Sequence, residues 1–267
     1  VLHLKEREVA VTARRSDDAR SAAGRTLFVL GAFDESHPSL TLSQIGQRAQ
    51  LPLPTAHRLV AELVGARLVT RSPDGAYSIG ARLWRLGLLS APTTLREVAQ
   101  PHLQDLVAAT GHTVHLAVLE GSRAMVVERL SGTRTVSTRH RPGALLPLHC
   151  TAVGKALLGY ASDDIVRDVM AAMTQHTPFT NTDPRVLRRQ LVEVRRTGVA
   201  RSAQEHRLGA SSLAVPVFGD NESVVAAVAV IAPLTSPRIT ESVPPMRAAA
   251  AAIAEGLRRQ RLADEHP

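Results

Sequence analysis

From Ser21 onward the apolar positions fall into short helical stripes. Ala22, Leu27, Leu30 and Phe33 can share one face of a first helix that closes at a turn over residues 34–38. Leu42, Ile45 and Ala49 recur at helical spacing behind Thr41 and Ser43, either of which can cap orphan backbone N–H groups. Leu51-Pro52-Leu53-Pro54 breaks that second helix. Ala56, Leu59, Val60 and Leu63 then carry a third helix to Gly65, with Pro54 in its first turn, where no donor is lost. Two short helices joined by a tight break spell a helix-turn-helix. Behind it, Leu68-Val69-Thr70-Arg71 and Tyr77-Ser78-Ile79 flank Pro73-Asp74-Gly75, which is hairpin turn chemistry, so the third helix is followed by a wing.

Residues 83–89 read as a linker helix interrupted by Pro92, and a second domain begins near Thr94. Residues 95–110 look helical, with Leu95, Val98, Leu103, Leu106 and Val107 on the apolar side. Strands are expected over 113–119 and 124–130 about Glu120-Gly121-Ser122, and over 212–218 and 224–231 about Gly219-Asp220-Asn221. Helices fit 151–161, 163–173 and 184–197, and a long Ala/Arg helix starts near Glu241. Strands, then helices, then strands describe an α+β sheet domain of sensor type. The expected boundaries are an N-terminal mobile extension over 1–20, a winged helix-turn-helix over 21–81, a linker helix over 82–93 and a second domain over 94–262.

Composition narrows the partners. The net charge of +8 favours a polyanion, while one Trp, two Tyr and four Phe are too few to build base-stacking platforms, so duplex DNA ranks ahead of single-stranded RNA. Half of that charge, a net +4, lies in residues 48–85, where Arg48, Arg58, Arg67, Arg71, Arg82 and Arg85 face only Glu62 and Asp74. The lone Cys150 cannot form an intramolecular disulfide, no apolar run approaches bilayer length, and the N-terminus shows no signal-peptide core. A reducing, cytoplasmic location is the expectation.

Four motifs in order resemble the IclR (isocitrate lyase regulator) family of bacterial transcription regulators. They are Leu51-Pro52-Leu53-Pro54-Thr55-Ala56-His57-Arg58-Leu59, then Pro73-Asp74-Gly75-Ala76-Tyr77 with Gly80. The run Leu146-Pro147-Leu148-His149-Cys150-Thr151-Ala152-Val153-Gly154-Lys155-Ala156 is the third, and Glu205-His206 with Gly209 and Ala214-Val215-Pro216-Val217 the fourth. The resemblance implies a winged helix-turn-helix joined to a C-terminal GAF-like (profilin-like) α/β effector domain with an antiparallel sheet. It also implies homodimers or homotetramers on near-palindromic operators, commonly as repressors of metabolic operons. Departures are Leu53 and Pro54, where the family offers Lys and Ser, then Ser202, Ala203 and Gln204 in place of acidic residues, and Ser212 in place of a cysteine. They shift base readout to Thr55, His57 and Arg58, and imply effector chemistry unlike that of the best-known relatives.

In a major groove Arg58 can pair bidentately with guanine, with Thr55 and His57 beside it. Arg25, Ser43, Gln44, Arg67 and Arg71 suit phosphate anchoring, although Arg67 could instead neutralise Glu62. For the effector, His149, Cys150 and Thr151 lead into a helix whose Ala152 and Val153 N–H groups would suit a carboxylate. The resemblance places ligands here, with Ser211 and Ser212 on the facing strand, and Arg139 and Arg141 lie just upstream to assist an acid. The alternative is that Thr151 merely caps a structural helix over a closed cavity. Cys150 beside His149 invites a nucleophile reading, but sequence neighbours seldom align for it. His112 and His115 lack a third ligand. No enzyme activity, cofactor or metal is expected.

Overall fold

The computed structural model describes residues 21–34, 36–134, 136, 140–236 and 238–265. The expected extension over 1–20 lies outside them. The chain divides into two compact units between Ser90 and Ala91.

In the first unit, α1 (Ala22–Leu30) is capped by the Ser21 hydroxyl, which accepts from Gly24 N–H at 2.8 Å. Its buried residues are Gly24 and Val29, whereas Ala22 and Leu27 face outward. The expected face is therefore misplaced: apolar residues run through positions 27 to 30, all round the helix, and periodicity alone cannot choose among its sides. Strand β1 (Ser39–Leu40) leads into α2 (Leu42–Arg48). Thr41, not Ser43, is the cap, and Gln44 returns a bond to the Thr41 N–H to complete a capping box. Helix α3 (Leu53–Gly65) has Pro54 in its first turn and buries Ala56, Leu59, Val60 and Leu63. Its last residue is Gly65, where the sequence places its end. The left-handed residue that turns the chain is Arg67, at φ +59°, and Leu68 N–H returns to Leu63 C=O at 2.9 Å.

The wing pairs β2 (Val69–Arg71) with β3 (Tyr77–Ile79), and β1 adds to β3 through Ser39–Ser78 and Leu40–Tyr77, giving the order β1-β3-β2. A two-residue strand carries no periodicity, so β1 escapes sequence reading. Gly80 is required where β3 leaves the wing, because a Cβ there would sit 2.4 Å from the Arg67 carbonyl oxygen. Val29, Leu40, Ile45, Leu59, Val60, Leu63, Val69 and Tyr77 form the core of this unit. Helix α4 (Ala81–Gly87) follows and buries none of its residues.

The second unit starts with α5 (Ala91–Thr110). Pro92 does not interrupt it, because Pro92 occupies the first turn, where no N–H is needed. Strands β4 (Thr113–Glu120) and β5 (Arg123–Leu130) form the expected hairpin, and β8 (Ala210–Phe218) and β9 (Val224–Pro233) form another. The short β6 (Leu145–Pro147) and β7 (Ala200–Ala203), which the sequence did not reveal, complete an antiparallel six-stranded sheet of order β6-β5-β4-β9-β8-β7. Between them lie α6 (Ala152–Leu158), α7 (Asp163–Ala171) and α8 (Pro184–Thr197), and α9 (Val243–Glu265) closes the unit.

Strand alternation gives the sheet two unlike faces. Leu116, Leu213, Val215, Val217, Val228 and Val230 face α5 and α9. The other face carries Ala117, Ala214, Ala227 and Ala229 toward α6 and α8. Alanines let α6 approach closely, so all seven of its residues are buried. The contact is tight enough that a Cβ on Gly154 would lie 2.5 Å from Leu148 Cα.

Candidate functional site

The first unit presents α3 and the wing. Thr55 is half-buried, and His57 and Arg58 are exposed one turn from the helix start. Arg58 Nη1 lies 2.6 Å from Glu62 Oε1, four residues along the same face. Glu62 is thus paired by Arg58 and not by Arg67, because i and i+4 side chains stack on a helix while Arg67 sits beyond its end. Arg71 places its guanidinium 5.6 Å from the Tyr77 ring centre, and Asp74 is held below the usual carboxylate range by the Ser72 hydroxyl and then the Ala76 N–H. Ser43 and Gln44 are exposed on α2, but Gln44 spends its carbonyl on the cap.

Not every arginine here is free for a partner. Arg48 bonds Ala32 C=O at 2.6 Å and pairs with Asp34, and Arg82 bonds Ala66 C=O at 3.0 Å. Arg25 is half-buried, with Nε buried and lacking a hydrogen-bond partner. Arg67 and Arg71 remain the exposed cations at the root and edge of the wing.

The second unit holds a cavity of about 60 Å³ between the alanine face of the sheet and the start of α6. Of the sequence-derived residues, Thr151, Ala152, Val153 and Ser212 line it. His149, Cys150, Ser211 and Arg141 do not, and Arg139 lies outside the described residues. Ser211 is lost to strand alternation, which turns Ser212 toward α6 and its neighbour away. Arg141 is exposed, in the loop before β6. Thr151 caps α6 by accepting from Gly154 N–H at 3.1 Å while donating to Pro147 C=O at 2.7 Å, so its hydroxyl is committed to the fold.

Other lining residues were missed. His115 is buried with Nε2 lacking any partner, and desolvation by burial, then the charges of His140 and Arg129, pushes its pKa down to about 3. Its place on β4 marks it as sheet-facing, but nothing in the sequence says that this face encloses a void. Arg207 lies exposed on the rim beside His206, directly after the Glu205-His206 pair that the sequence singled out. Glu205 lines the cavity and is paired with the buried Lys155, whose Nζ reaches the two carboxylate oxygens at 2.6 and 2.8 Å and Arg201 C=O at 3.2 Å. The loop carrying Glu205 is held by Thr177 and Thr180, whose hydroxyls donate to the Gln204 and Glu205 carbonyls.

Cys150 is buried and its thiol is pushed up to about 12 by desolvation, then by Glu205, which leaves no thiolate for nucleophilic work. His112 spends Nδ1 on Arg134 C=O and Nε2 on Ser236 Oγ, so its spacing to His115 has no metal-binding meaning. Among the described residues no helix is long and apolar enough to cross a membrane.

Comparison with known proteins agrees with both units. Residues 22–73 match the IclR helix-turn-helix domain, and residues 90–256 match the bacterial transcriptional regulator IclR C-terminal domain. The transcriptional repressor IclR of Escherichia coli K12 is 29% identical over 81% of this chain and 82% of its own length. The repressor AllR of the same strain is 30% identical over 82% of each. A solved IclR homologue from Microbacterium hydrocarbonoxydans, in complex with 4-hydroxybenzoate, superposes with a TM-score of 0.83 at 34% identity, covering 88% of this chain and 98% of that one. These relatives are regulators, not enzymes, and the chain belongs to the IclR family of bacterial transcriptional regulators, with an N-terminal helix-turn-helix DNA-binding domain.

Proposed function

We propose that this regulator represses a metabolic operon in the cytoplasm and is controlled by a small organic acid bound in the cavity of the second unit. The observation that carries the reading is His115, a cavity-lining residue whose buried Nε2 has no hydrogen-bond partner, so a ligand hydroxyl or carboxyl entering there can supply one. Arg207 on the rim supplies the cation for a carboxylate, a role the sequence had given to Arg139 and Arg141. The homologue bound to 4-hydroxybenzoate supports an acid of this size.

A cavity of about 60 Å³ holds a few waters and no ring, so an effector of that kind must open it. Ligand then favours an opened arrangement over the closed one, which is the differential affinity that regulation requires. Calorimetric titration with 4-hydroxybenzoate and with short aliphatic acids tests the site. Binding by the wild type with at least tenfold weakening in Arg207→Ala supports it, and equal affinity in both refutes it.

On DNA, α3 enters the major groove and Arg58 exchanges Glu62 for a guanine edge, while Thr55 and His57 contact neighbouring bases. Ser43, Gln44, Arg67 and Arg71 hold phosphates, and Arg25 assists from α1. Near-palindromic operators call for a two-fold protein. Helix α4 and the residues after it offer the surface for a second copy of this chain: Trp84, Leu86, Leu88 and Leu89 are 67%, 52%, 44% and 84% exposed. Trp84→Asp is expected to give monomers in sedimentation, and an unchanged dimer would refute that assignment.

A further inference from the structure

Beside the cavity, behind its wall, three side chains from two separate loops converge. One ring nitrogen each of His149 and His176, together with Cys150 Sγ, lie within 4.8 Å of one another. His206, which does line the cavity, places Nδ1 4.0 Å from the same sulfur and its ring centre 5.0 Å from that of His176. We propose that this cluster binds one divalent transition-metal ion of zinc type, with Cys150, His149 and His176 as ligands and His206 closing the fourth position.

The donor set selects the ion. One thiolate and three imidazoles suit borderline-soft, four-coordinate Zn(II), and the absence of an oxygen donor from these four side chains disfavours magnesium and calcium. His149 has one ring nitrogen fixed by the fold. Its Nε2 lies 2.9 Å from Thr174 C=O, and since a carbonyl can only accept, Nε2 carries the proton and the lone pair is left on Nδ1. That is the outer bond that fixes tautomer and ring direction in histidine metal sites. His176 is tethered in the same loop, where its backbone N–H donates to Thr180 Oγ1 at 3.0 Å.

The distances suit an open cluster. Ligand bonds of about 2.0–2.3 Å put neighbouring donors of a tetrahedron about 3.3–3.8 Å apart, so an ion would draw Cys150, His149 and His176 together by up to roughly 1 Å, with His206 following from its place beside the sulfur. His176 is exposed while His149 and Cys150 are buried, which gives the ion an entry path. The Lys155 ammonium is neutralised by Glu205, leaving the Arg123 guanidinium as the cation whose charge opposes an ion at Cys150, His149 and His206. Binding is simple exchange: the Cys150 S–H bond breaks, an S–metal bond forms, and the proton leaves to solvent with no change of oxidation state. His206 is shared between cluster and cavity, so an ion would fix one cavity wall.

The test uses the full chain, stripped with chelator and titrated with Co(II) as a spectroscopic stand-in for Zn(II), with no organic acid present, so that its outcome is independent of the effector reading. One ion per chain is expected, with visible bands of tetrahedral Co(II) and a near-ultraviolet thiolate-to-cobalt band. Cys150→Ala should lose the near-ultraviolet band. His176→Ala, an exposed change whose melting curve checks that the fold is intact, should weaken Zn(II) binding about tenfold or more in competition with a chromophoric chelator. His37→Ala, on the other unit, should change nothing. Absence of a stoichiometric Co(II) spectrum, survival of the thiolate band in Cys150→Ala, or wild-type affinity in His176→Ala would each overturn the proposal.

Discussion

Replacing Lys155 by methionine probes the support of the cavity more sharply than any change on its wall. Lys155 is 1% exposed, and its ammonium makes three bonds: two to Glu205, itself 8% exposed, and one to Arg201 C=O. Burial pulls the Lys155 pKa down, with Glu205 opposing that pull by charge and by hydrogen bonding. Methionine keeps most of the length and volume, so little of the loss comes from a void. What remains is a carboxylate buried without its cation, which costs about 3–5 kcal/mol. For a unit of this size that corresponds to a fall in Tm of roughly 6–20 °C, at about 2–4 °C per kcal/mol. Lys155→Met combined with Glu205→Gln removes both charges and should recover most of the loss, because the pair's attraction chiefly offsets its own desolvation. Thermal unfolding of the full chain followed by circular dichroism at pH 7 measures all three proteins. A single variant that loses less than about 1 kcal/mol, or a double variant less stable than the single, would refute the reasoning.

Three further expectations follow from particular contacts. Arg58→Ala should cost about 1–3 kcal/mol of discrimination between the operator and a variant site, whereas Glu62→Gln should tighten DNA binding by freeing Arg58; competition binding at fixed salt reads both. Gly80→Ala forces a Cβ to 2.4 Å from a backbone oxygen and should destabilise the first unit by about 2–3 kcal/mol in denaturant titration; a loss under about 0.5 kcal/mol would show that the turn yields freely. His115 has a folded pKa of about 3 against 6.5 when unfolded, so the unfolded chain takes up the proton first and stability falls as pH drops from about 6.5 toward 3. His115→Leu should flatten that part of the pH–stability curve, and an unchanged slope would contradict the buried, neutral assignment.

The elements with strong local chemistry were legible in the sequence. The Pro-interrupted helix pair, the Pro73-Asp74-Gly75 turn and the β4–β5 and β8–β9 hairpins carry their own signals, and each forms within a few residues of its expected place. Strands β1, β6 and β7 were not visible, because two to four residues cannot display a period and are defined by partners distant in sequence. The third helix ends on Gly65 as read, but the left-handed turn after it falls on Arg67, which carries no local signal for that conformation. At the cavity, Thr151, Ala152, Val153 and Ser212 could be placed from a motif and a strand period. His115 and Arg207 could not, since enclosure depends on which sheet face carries alanines and where the loop after β7 returns. His149 and His206 stood in sequence motifs, but their convergence with His176 on Cys150 was not legible for a related reason: the three histidines are separated by 27 and 30 residues, and no ligand-spacing pattern joins them.

The central claim is that an acid in the second unit changes how the first unit holds DNA. It is tested most directly by measuring operator affinity of the full chain, on duplex selected from a random pool, at fixed salt with and without saturating 4-hydroxybenzoate or another acid found to bind. A change of about fivefold or more, corresponding to a coupling of at least about 1 kcal/mol, is predicted for the wild type, together with its loss in an Arg207→Ala protein whose ligand-free affinity is unaltered. Unchanged DNA affinity at an acid concentration shown to saturate the cavity would contradict the account and leave the second unit an assembly module.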